Sequence, residues 1–161
     1  MLSMDEVYRT HSMMVYKYLL SLTGDEDLSE ELTQETFYQA VKSINRYDES
    51  CKISTWLCAI AKNQLGKHRR KQGHVELNEE AVSVSRGETE DSYLLRENRV
   101  EMMKMMRSLP ESVREVMYLR IFGNLSFSEI GEFMEKSENW ARVTFYRGKV
   151  KLREAVSEDA R

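Results

Sequence analysis

Apolar residues recur at intervals of three and four along most of this chain, the spacing that places them on one face of an α-helix. The chain contains one proline, Pro110, and seven glycines. An all-β fold needs a turn about every ten residues, and these few helix breakers cannot supply that many turns. We therefore predict an all-α protein.

The helical pattern stops between Gly73 and Asp91, where six acids accompany a single base, Arg86. Few apolar residues combined with an excess of one charge are typical of a flexible linker. We expect two small helical domains, 1–72 and 95–158, joined by a flexible acidic linker over 73–94. Helices are predicted over 3–22, 27–45, 55–71, 93–108, 111–122, 126–134 and 138–156.

Local signals mark some of these helix ends. Ser3 with Glu6, and Ser126 with Glu129, match the capping box, in which both side chains accept backbone N–H groups of the first helical turn. Gly24 lies just past the first predicted helix, at the position where a helix end favours glycine.

The sequence carries no sign of a membrane segment or of catalytic chemistry. No apolar run approaches the ~20 residues that cross a bilayer, and the first residues lack the basic start and apolar core of a signal peptide. The cytoplasm is the expected location. Catalytic motifs and metal-ligand spacings are absent from the sequence, and Cys51 and Cys58 are expected to be ordinary reduced thiols. We predict no enzyme activity, cofactor, metal or small-molecule substrate.

Charge is distributed unevenly along the chain, although the net charge is only −3. Residues 25–35 contain six acids and no base, whereas residues 51–73 contain six Lys or Arg and no acid. Residues 142–153 add five bases without an acid. Because local fields govern binding more than the total charge does, we expect separate acidic and basic surfaces with at least two kinds of partner.

A short helix, a three-residue turn over 135–137 and a longer basic helix predict a helix-turn-helix near the C-terminus. One buried face of the longer helix is predicted from the spacing of Ala141, Phe145, Gly148 and Leu152. The first turns of such a helix enter the major groove, where Arg pairs with guanine and Asn with adenine. The alternative is a solvated basic face on an ordinary amphipathic helix.

Three further features are ambiguous from the residues alone. The basic end of the third helix, from Lys62 to Lys71, either binds nucleic acid or only complements the helix dipole. Trp56 either stacks on an unpaired base or belongs to the core. The acidic start of the second helix is either a solvated face or a docking surface for a basic partner.

Three segments taken in order resemble a known family. SEELTQETFYQAV, residues 29–41, resembles the polymerase-docking helix of extracytoplasmic-function sigma factors, which belong to the RNA polymerase sigma-70 family. STWLCAIAKNQL, residues 54–65, resembles their segment that melts the promoter and reads its minus-ten element. Residues 108–154, from SLPESVREVMYLRIFGNLSFSEIGEF to the end of the basic helix, resemble their domain that reads the minus-thirty-five element.

The resemblance implies a transcription initiation factor that directs core RNA polymerase to promoters in an envelope or stress response. Its partners would be the clamp helices and flap of the polymerase, promoter DNA and an anti-sigma factor, which is often membrane-anchored. The residues implied to face the clamp helices of the largest subunit are Glu31, Leu32, Gln34, Glu35 and Phe37.

The resemblance also assigns DNA contacts. The loop over 46–55, with Trp56 behind it, would capture a flipped base of the opened minus-ten strand. The minus-ten set is Arg46, Trp56, Lys62, Asn63, Lys67 and Arg70. The minus-thirty-five set is Glu138, Asn139, Arg142, Val143, Tyr146, Arg147 and Lys149. Lys67, Trp140, Thr144 and Gly148 depart from the common pattern of the family, which leaves the promoter sequence open.

Two alternatives remain at the level of the residues. The first is an ordinary helix-turn-helix regulator whose N-terminal helices form a dimerisation or sensor domain. The second is a helical adaptor that binds only protein. A plain regulator has no need for the acidic second helix beside the basic third one, and an adaptor would lack the steep salt dependence of a DNA complex.

Overall fold

The computed structural model describes residues 3–73 and 104–159, with side chains placed through residue 154. Within these ranges every regular element is helical, which confirms the all-α prediction. The helices are α1 Met4–Thr23, α2 Glu26–Ser43, α3 Ile53–Lys71, α4 Glu111–Ile121, α5 Phe127–Phe133 and α6 Glu138–Asp159, and a 3₁₀ turn Ile44–Arg46 follows α2. No helix in the described part of the chain is long and apolar enough to cross a bilayer.

Contacts between Cα atoms divide the chain into two compact units, Met1–Ser83 and Val84–Arg161. We call them the N-terminal and the C-terminal unit. The predicted acidic linker beyond Gly73, and the predicted helix 93–108 up to residue 103, lie outside the described residues.

In the N-terminal unit, α1, α2 and α3 pack against one another around a single apolar core. Each helix contributes side chains at helical spacing, and burial of each large one stabilises the fold by about 1.5–3 kcal/mol. The fully buried apolar residues are Val15, Tyr18, Leu19, Ala40, Leu57 and Ala61.

The connection from α1 to α2 is short because both helix ends are satisfied locally. Gly24 has a φ of 68°, the left-handed conformation that favours glycine, and its N–H donates to the Leu20 carbonyl at 2.8 Å. Asp25 then caps α2, because its Oδ1 accepts the Leu28 N–H at 3.1 Å. The predicted role of Gly24 is confirmed. The predicted capping box of α1 is wrong, since the Ser3 side chain makes no capping hydrogen bond.

In the C-terminal unit, α4, α5 and α6 all contact one another. All residues from Arg114 to Leu119 are buried, so this helix is covered on every side. A helix buried all round is a core element, and the other helices of a small unit are arranged about it. Among the described helices of this unit, α6 has the most exposed residues.

A tight turn joins α5 to α6. Ser126 begins α5 with the predicted capping box, in which its Oγ accepts the Glu129 N–H at 3.1 Å and its own N–H donates to the Glu129 carboxylate at 2.9 Å. The Lys136 N–H donates to the Gly131 carbonyl at 2.7 Å and closes the turn. The Ser137 Oγ accepts the Trp140 N–H at 3.0 Å and caps α6. The predicted helix-turn-helix is thus confirmed.

Two glycines permit the close approaches that this arrangement needs. A Cβ added to Gly131 would lie 2.8 Å from the carbonyl carbon and oxygen of Ser137. A Cβ added to Gly148 would lie 2.6 Å from the Met117 sulfur and 3.0 Å from Val113 Cγ1. The added Cβ would therefore meet backbone atoms at Gly131 and side-chain atoms at Gly148.

We predict that Gly131→Ala lowers the free energy of unfolding of the C-terminal unit by about 1–3 kcal/mol, because the backbone of the turn must shift to admit the methyl group. Gly148→Ala should cost less, since the flexible Met117 side chain can move. Both variants gain ~1 kcal/mol of helix propensity, so this gain does not affect the comparison.

The measurement is urea unfolding followed by Trp140 fluorescence in a Trp56→Phe background, which leaves one tryptophan in the chain. A Gly131→Ala variant as stable as the Gly148→Ala variant would contradict the close approach of α5 to the turn.

Candidate nucleic-acid and protein interfaces

The five residues of α2 that are predicted to dock a partner differ in their exposure to solvent. Leu32 and Phe37 are each 6% exposed, so they pack into the core of the N-terminal unit. The Phe37 ring meets the Tyr8 ring edge to face, with centroids 5.0 Å apart. Glu31 and Gln34 are exposed. Glu35 is half-buried, and its carboxylate accepts a hydrogen bond from the Gln39 side-chain N–H at 3.0 Å.

The exposed side of α2 forms a continuous stripe, which we call the α2 stripe: Glu31, Gln34, Tyr38 and Val41. Their spacing of three, four and three residues places them on one helix face. Tyr38 is 58% exposed and Val41 is 53% exposed. Val41 therefore lies on the exposed side of α2, although it is apolar. Neighbouring apolar groups bordered by polar ones are a feature of protein-binding surfaces.

The 3₁₀ turn and the start of α3 bring together an aromatic pair. The Trp56 and Tyr47 rings have centroids 5.0 Å apart at an angle of 39°. The Tyr47 hydroxyl donates to the Cys51 carbonyl and so closes the loop over 47–52. Both rings are half-buried, and Arg46 beside them is exposed. The pair therefore offers part of an aromatic surface next to a cation.

The loop that Tyr47 closes is acidic. Burial raises the pKa of the Tyr47 phenol, and the negative charges of Cys51, Glu49 and Asp48 raise it further. The Tyr47 phenol therefore stays a neutral hydroxyl and keeps its hydrogen bond to the Cys51 carbonyl. A hydrogen bond from the Ser50 side chain lowers the pKa of the Asp48 carboxyl most, and a hydrogen bond from the Ser50 N–H lowers it further. Glu49 has a φ of 62°, which places the tip of the loop in the left-handed region.

Four of the six residues predicted for minus-ten contacts share one side of α3. Trp56, Asn63, Lys67 and Arg70 follow one another at intervals of seven, four and three residues, which keeps them on one helix face. We call this set the α3 face. Asn63, Lys67 and Arg70 are exposed. Lys62 is half-buried and lies about a quarter of a turn away from Asn63, outside this face.

The outer side of α6 holds the residues predicted for minus-thirty-five contacts. The exposed ones, which we call the α6 surface, are Glu138, Asn139, Arg142, Val143, Tyr146 and Arg147. Lys149 is half-buried at its edge. On the opposite side Ala141, Thr144 and Gly148 are buried. Thr144 was not predicted to face the core, and the predicted core residues Phe145 and Leu152 are only half-buried.

Arg142 is held in place by two neighbours. Its guanidinium lies 3.2 Å from the Glu138 carboxylate and 5.4 Å from the centre of the Phe127 ring. The Arg120 guanidinium also lies over Phe127, at 4.3 Å, and donates to the Leu125 carbonyl at 3.0 Å. Cation–π contacts of this kind restrict the arginine side chain. Sequence reasoning missed Phe127 and Arg120, because no local spacing relates them to α6.

Aromatic and apolar groups occupy the middle of the α6 surface. Val143 is 37% exposed and Tyr146 is 52% exposed. The Tyr146 ring meets the Phe145 ring edge to face, with centroids 5.6 Å apart. The Lys149 ammonium lies 5.8 Å from the Phe145 ring centre and 5.7 Å from that of Tyr146. The surface therefore combines cations with a fixed apolar patch.

Family models match both units of the chain. Sigma-70 region 2 matches residues 7–75, and Sigma-70, region 4 matches residues 99–152. The chain belongs to the sigma-70 family. The region 2 match covers α1, α2 and α3, and the region 4 match covers α4, α5 and most of α6. A helix-turn-helix regulator or an adaptor would carry an unrelated N-terminal domain, so both alternatives are excluded.

Relatives and a solved structure agree with this assignment. The chain is 29% identical over 154 residues to the ECF RNA polymerase sigma factor SigM of Bacillus subtilis, covering 94% of both chains. It is 28% identical over 158 residues to the RNA polymerase sigma factor CarQ of Myxococcus xanthus, covering 96% of this chain and 89% of CarQ. The resemblance to extracytoplasmic-function sigma factors is confirmed.

The sigma factor RpoE of Bartonella quintana, solved in complex with the anti-sigma factor NepR, has a similar fold. The TM-score is 0.74 at 17% sequence identity, and the match covers 95% of this chain and 96% of RpoE. At this identity the likeness concerns the fold alone.

Proposed function

We propose that this sigma-70 family protein directs core RNA polymerase to specific promoters as an extracytoplasmic-function sigma factor. The observation that carries the proposal is that exposed residues of α2, α3 and α6, which are predicted to bind, fall within the two matched sigma-70 regions. In this proposal the protein has no reaction and no cofactor of its own, since the polymerase performs the chemistry. It acts where the polymerase acts, in the cytoplasm.

The α2 stripe is proposed to dock on the clamp helices of the largest polymerase subunit. Tyr38 and Val41 supply apolar contact area, and Glu31 supplies charge for a basic partner. The resemblance placed Leu32 and Phe37 at this interface. In this proposal they act indirectly, because they are buried in the core and fix the orientation of α2. The flap of the polymerase is proposed as the partner of the C-terminal unit.

The α3 face is proposed to hold the opened minus-ten strand. The Trp56–Tyr47 pair offers an aromatic surface on which a flipped base can stack, which offsets the few kcal/mol that unstacking costs. Asn63 can reach a base edge, while Lys67 and Arg70 follow the phosphates. Arg46 adds a cation beside the loop, and Lys62 contacts DNA only from the adjoining side of α3.

The α6 surface is proposed to read the minus-thirty-five duplex from the major groove. Arg142 is presented from the second turn of α6, where a recognition helix contacts base edges. Asn139 lies one turn earlier on the same side. Arg147 and Lys149 are placed to meet phosphates, and Glu138 can accept a hydrogen bond from cytosine as well as orient Arg142.

An anti-sigma factor is proposed as the regulator, in an envelope or stress response. The structure of RpoE was solved with the anti-sigma factor NepR bound, which shows that a protein of this fold can form such a complex. The exposed apolar residues of the α2 stripe would be available to such a partner whenever the polymerase is absent.

We predict that Tyr38→Ala combined with Val41→Ala weakens binding to core polymerase at least tenfold, because both side chains lose their contact area at the proposed interface. The measurement is a titration of labelled protein with purified core enzyme. Met13→Ala is the control, because Met13 is similarly exposed but lies on α1. Unfolding in urea should stay unchanged for both, since all three side chains are at least half exposed.

Equal affinity of the double variant and the control would remove α2 from the docking interface. If the unmodified protein itself did not bind core polymerase, the proposed function would be wrong.

We predict that Trp56→Ala impairs promoter opening while leaving duplex binding nearly unchanged, because the proposed DNA contact of the lost ring is with an unpaired base and not with the duplex. Opening is measured as permanganate reactivity of thymines near the start site in complexes of the holoenzyme. Trp56→Phe is the control, since it keeps an aromatic ring beside Tyr47. Normal opening by a folded Trp56→Ala variant would assign Trp56 to the core alone.

A further inference from the structure

We propose that Tyr47 is a positioning residue, whose hydroxyl holds the loop over 47–52 in the shape that receives the unpaired minus-ten base. The inference rests on the proposed function, because it requires this loop to capture a base. The Tyr47 ring belongs to the aromatic surface beside Trp56, whereas the hydroxyl acts through the loop backbone.

The first observation is that Tyr47 connects three segments of the N-terminal unit. Its N–H donates to the Ile44 carbonyl at 3.1 Å, which ties it to the 3₁₀ turn after α2. Its ring centroid lies 5.0 Å from that of Trp56, near the start of α3. Its hydroxyl donates to the Cys51 carbonyl at the far end of the loop. One residue therefore fixes both ends of the loop relative to Trp56.

The second observation is that the backbone of this loop adopts a conformation that needs support. Glu49, at its tip, has a φ of 62°, which is unfavourable for a residue with a Cβ. Such a conformation persists where the surrounding contacts hold it. The Ser50 N–H donates to Asp48 Oδ1 at 3.0 Å and spans the tip, whereas the Tyr47 hydroxyl bond spans the whole loop.

The third observation is that folding does not explain the hydroxyl bond. All five residues from Asp48 to Lys52 are exposed, so the loop that the bond closes covers no core. Packing against Trp56 requires only the ring of Tyr47, which a phenylalanine would also supply. The bond therefore orders a surface loop, and loops ordered in this way on a rigid scaffold carry binding functions.

Ordering the loop in advance raises the affinity for a base. A loop that is already closed does not lose conformational entropy when the base arrives. If only a fraction of the molecules has the closed loop, the apparent dissociation constant rises in inverse proportion to that fraction. Loss of the hydroxyl should therefore weaken the capture of the base and leave the phosphate contacts of the α3 face unchanged.

The first test uses the holoenzyme, assembled from core polymerase and the full chain. Single-stranded oligonucleotides with a randomised minus-ten region are selected for tight binding. Each base of the selected element is then replaced singly by an abasic site, which removes one base and keeps the phosphate backbone. Dissociation constants are measured for the unmodified protein, for Tyr47→Phe and for Tyr8→Phe. The Tyr8→Phe variant is the matched control, because it removes a phenolic hydroxyl from an exposed tyrosine of α1.

We expect one position at which the abasic site weakens binding of the unmodified holoenzyme about tenfold, the effect of losing one stacked base. Tyr47→Phe should lower this ratio about threefold, since the loop loses one hydrogen bond that keeps it closed. The ratios at the other positions should not change, and Tyr8→Phe should keep the tenfold ratio. Partial unfolding would instead weaken the binding of every oligonucleotide alike.

The second test measures the closure of the loop without DNA. The full chain is treated with a glutamate-specific protease, and mass spectrometry follows the cut after Glu49. Tyr47→Phe should accelerate this cut several-fold relative to the unmodified protein, because an open loop fits a protease more readily. Tyr8→Phe should leave the rate unchanged.

The inference is overturned if Tyr47→Phe keeps the full abasic ratio. It is also overturned if the ratio falls while the cut after Glu49 does not accelerate, because the hydroxyl would then contact the base itself. If the abasic site has no effect at any position in the unmodified holoenzyme, the proposed capture of a base fails instead, whatever the effect of Tyr47→Phe.

Discussion

The close contact between α5 and the turn that begins α6 determines where the C-terminal unit can bind. Gly131 allows the α5 backbone to approach Ser137 more closely than any side chain would permit. With α5 fixed in this way, α6 packs on α4 through Gly148, and the opposite side of α6 faces water. The cations and apolar groups of the α6 surface are therefore presented by backbone packing as well as by their own side-chain contacts.

A comparable division of labour holds in the N-terminal unit. Leu32 and Phe37 bury one side of α2, which leaves Tyr38 and Val41 on the exposed side. On α3 the buried residues Leu57, Ala61 and Leu65 similarly leave other residues in water, among them the bases Lys67, Arg70 and Lys71. In both units the core-facing residues of a helix decide which of its other residues can meet a partner.

Much of this was readable from the sequence, because helical periodicity is a local property. All six described helices begin within two residues of their predicted starts, and the capping box at Ser126 formed as its pattern indicated. The same pattern at Ser3 did not form a side-chain cap, which shows that a motif permits a hydrogen bond without requiring it. The outer residues of α6 were also identified correctly as exposed, except that Lys149 is half-buried.

The remaining features depend on contacts between distant parts of the chain. The position of Val41 could not be predicted, since α2 has more apolar residues than its core side can bury. The grouping of Arg120, Phe127 and Arg142 joins three different helices, and no sequence spacing encodes it.

The roles assigned to individual residues in DNA and polymerase binding remain predictions. The acidic segment that separates the two matched regions lies outside the described residues.

Promoter-directed initiation is the central claim, and run-off transcription tests it most directly. Purified core polymerase is supplied with genomic DNA fragments, with and without this protein, and the 5′ ends of the transcripts are mapped. The account predicts new start sites that appear only when the protein is present and that share two sequence elements upstream. Transcripts with the same start sites in both reactions would contradict it.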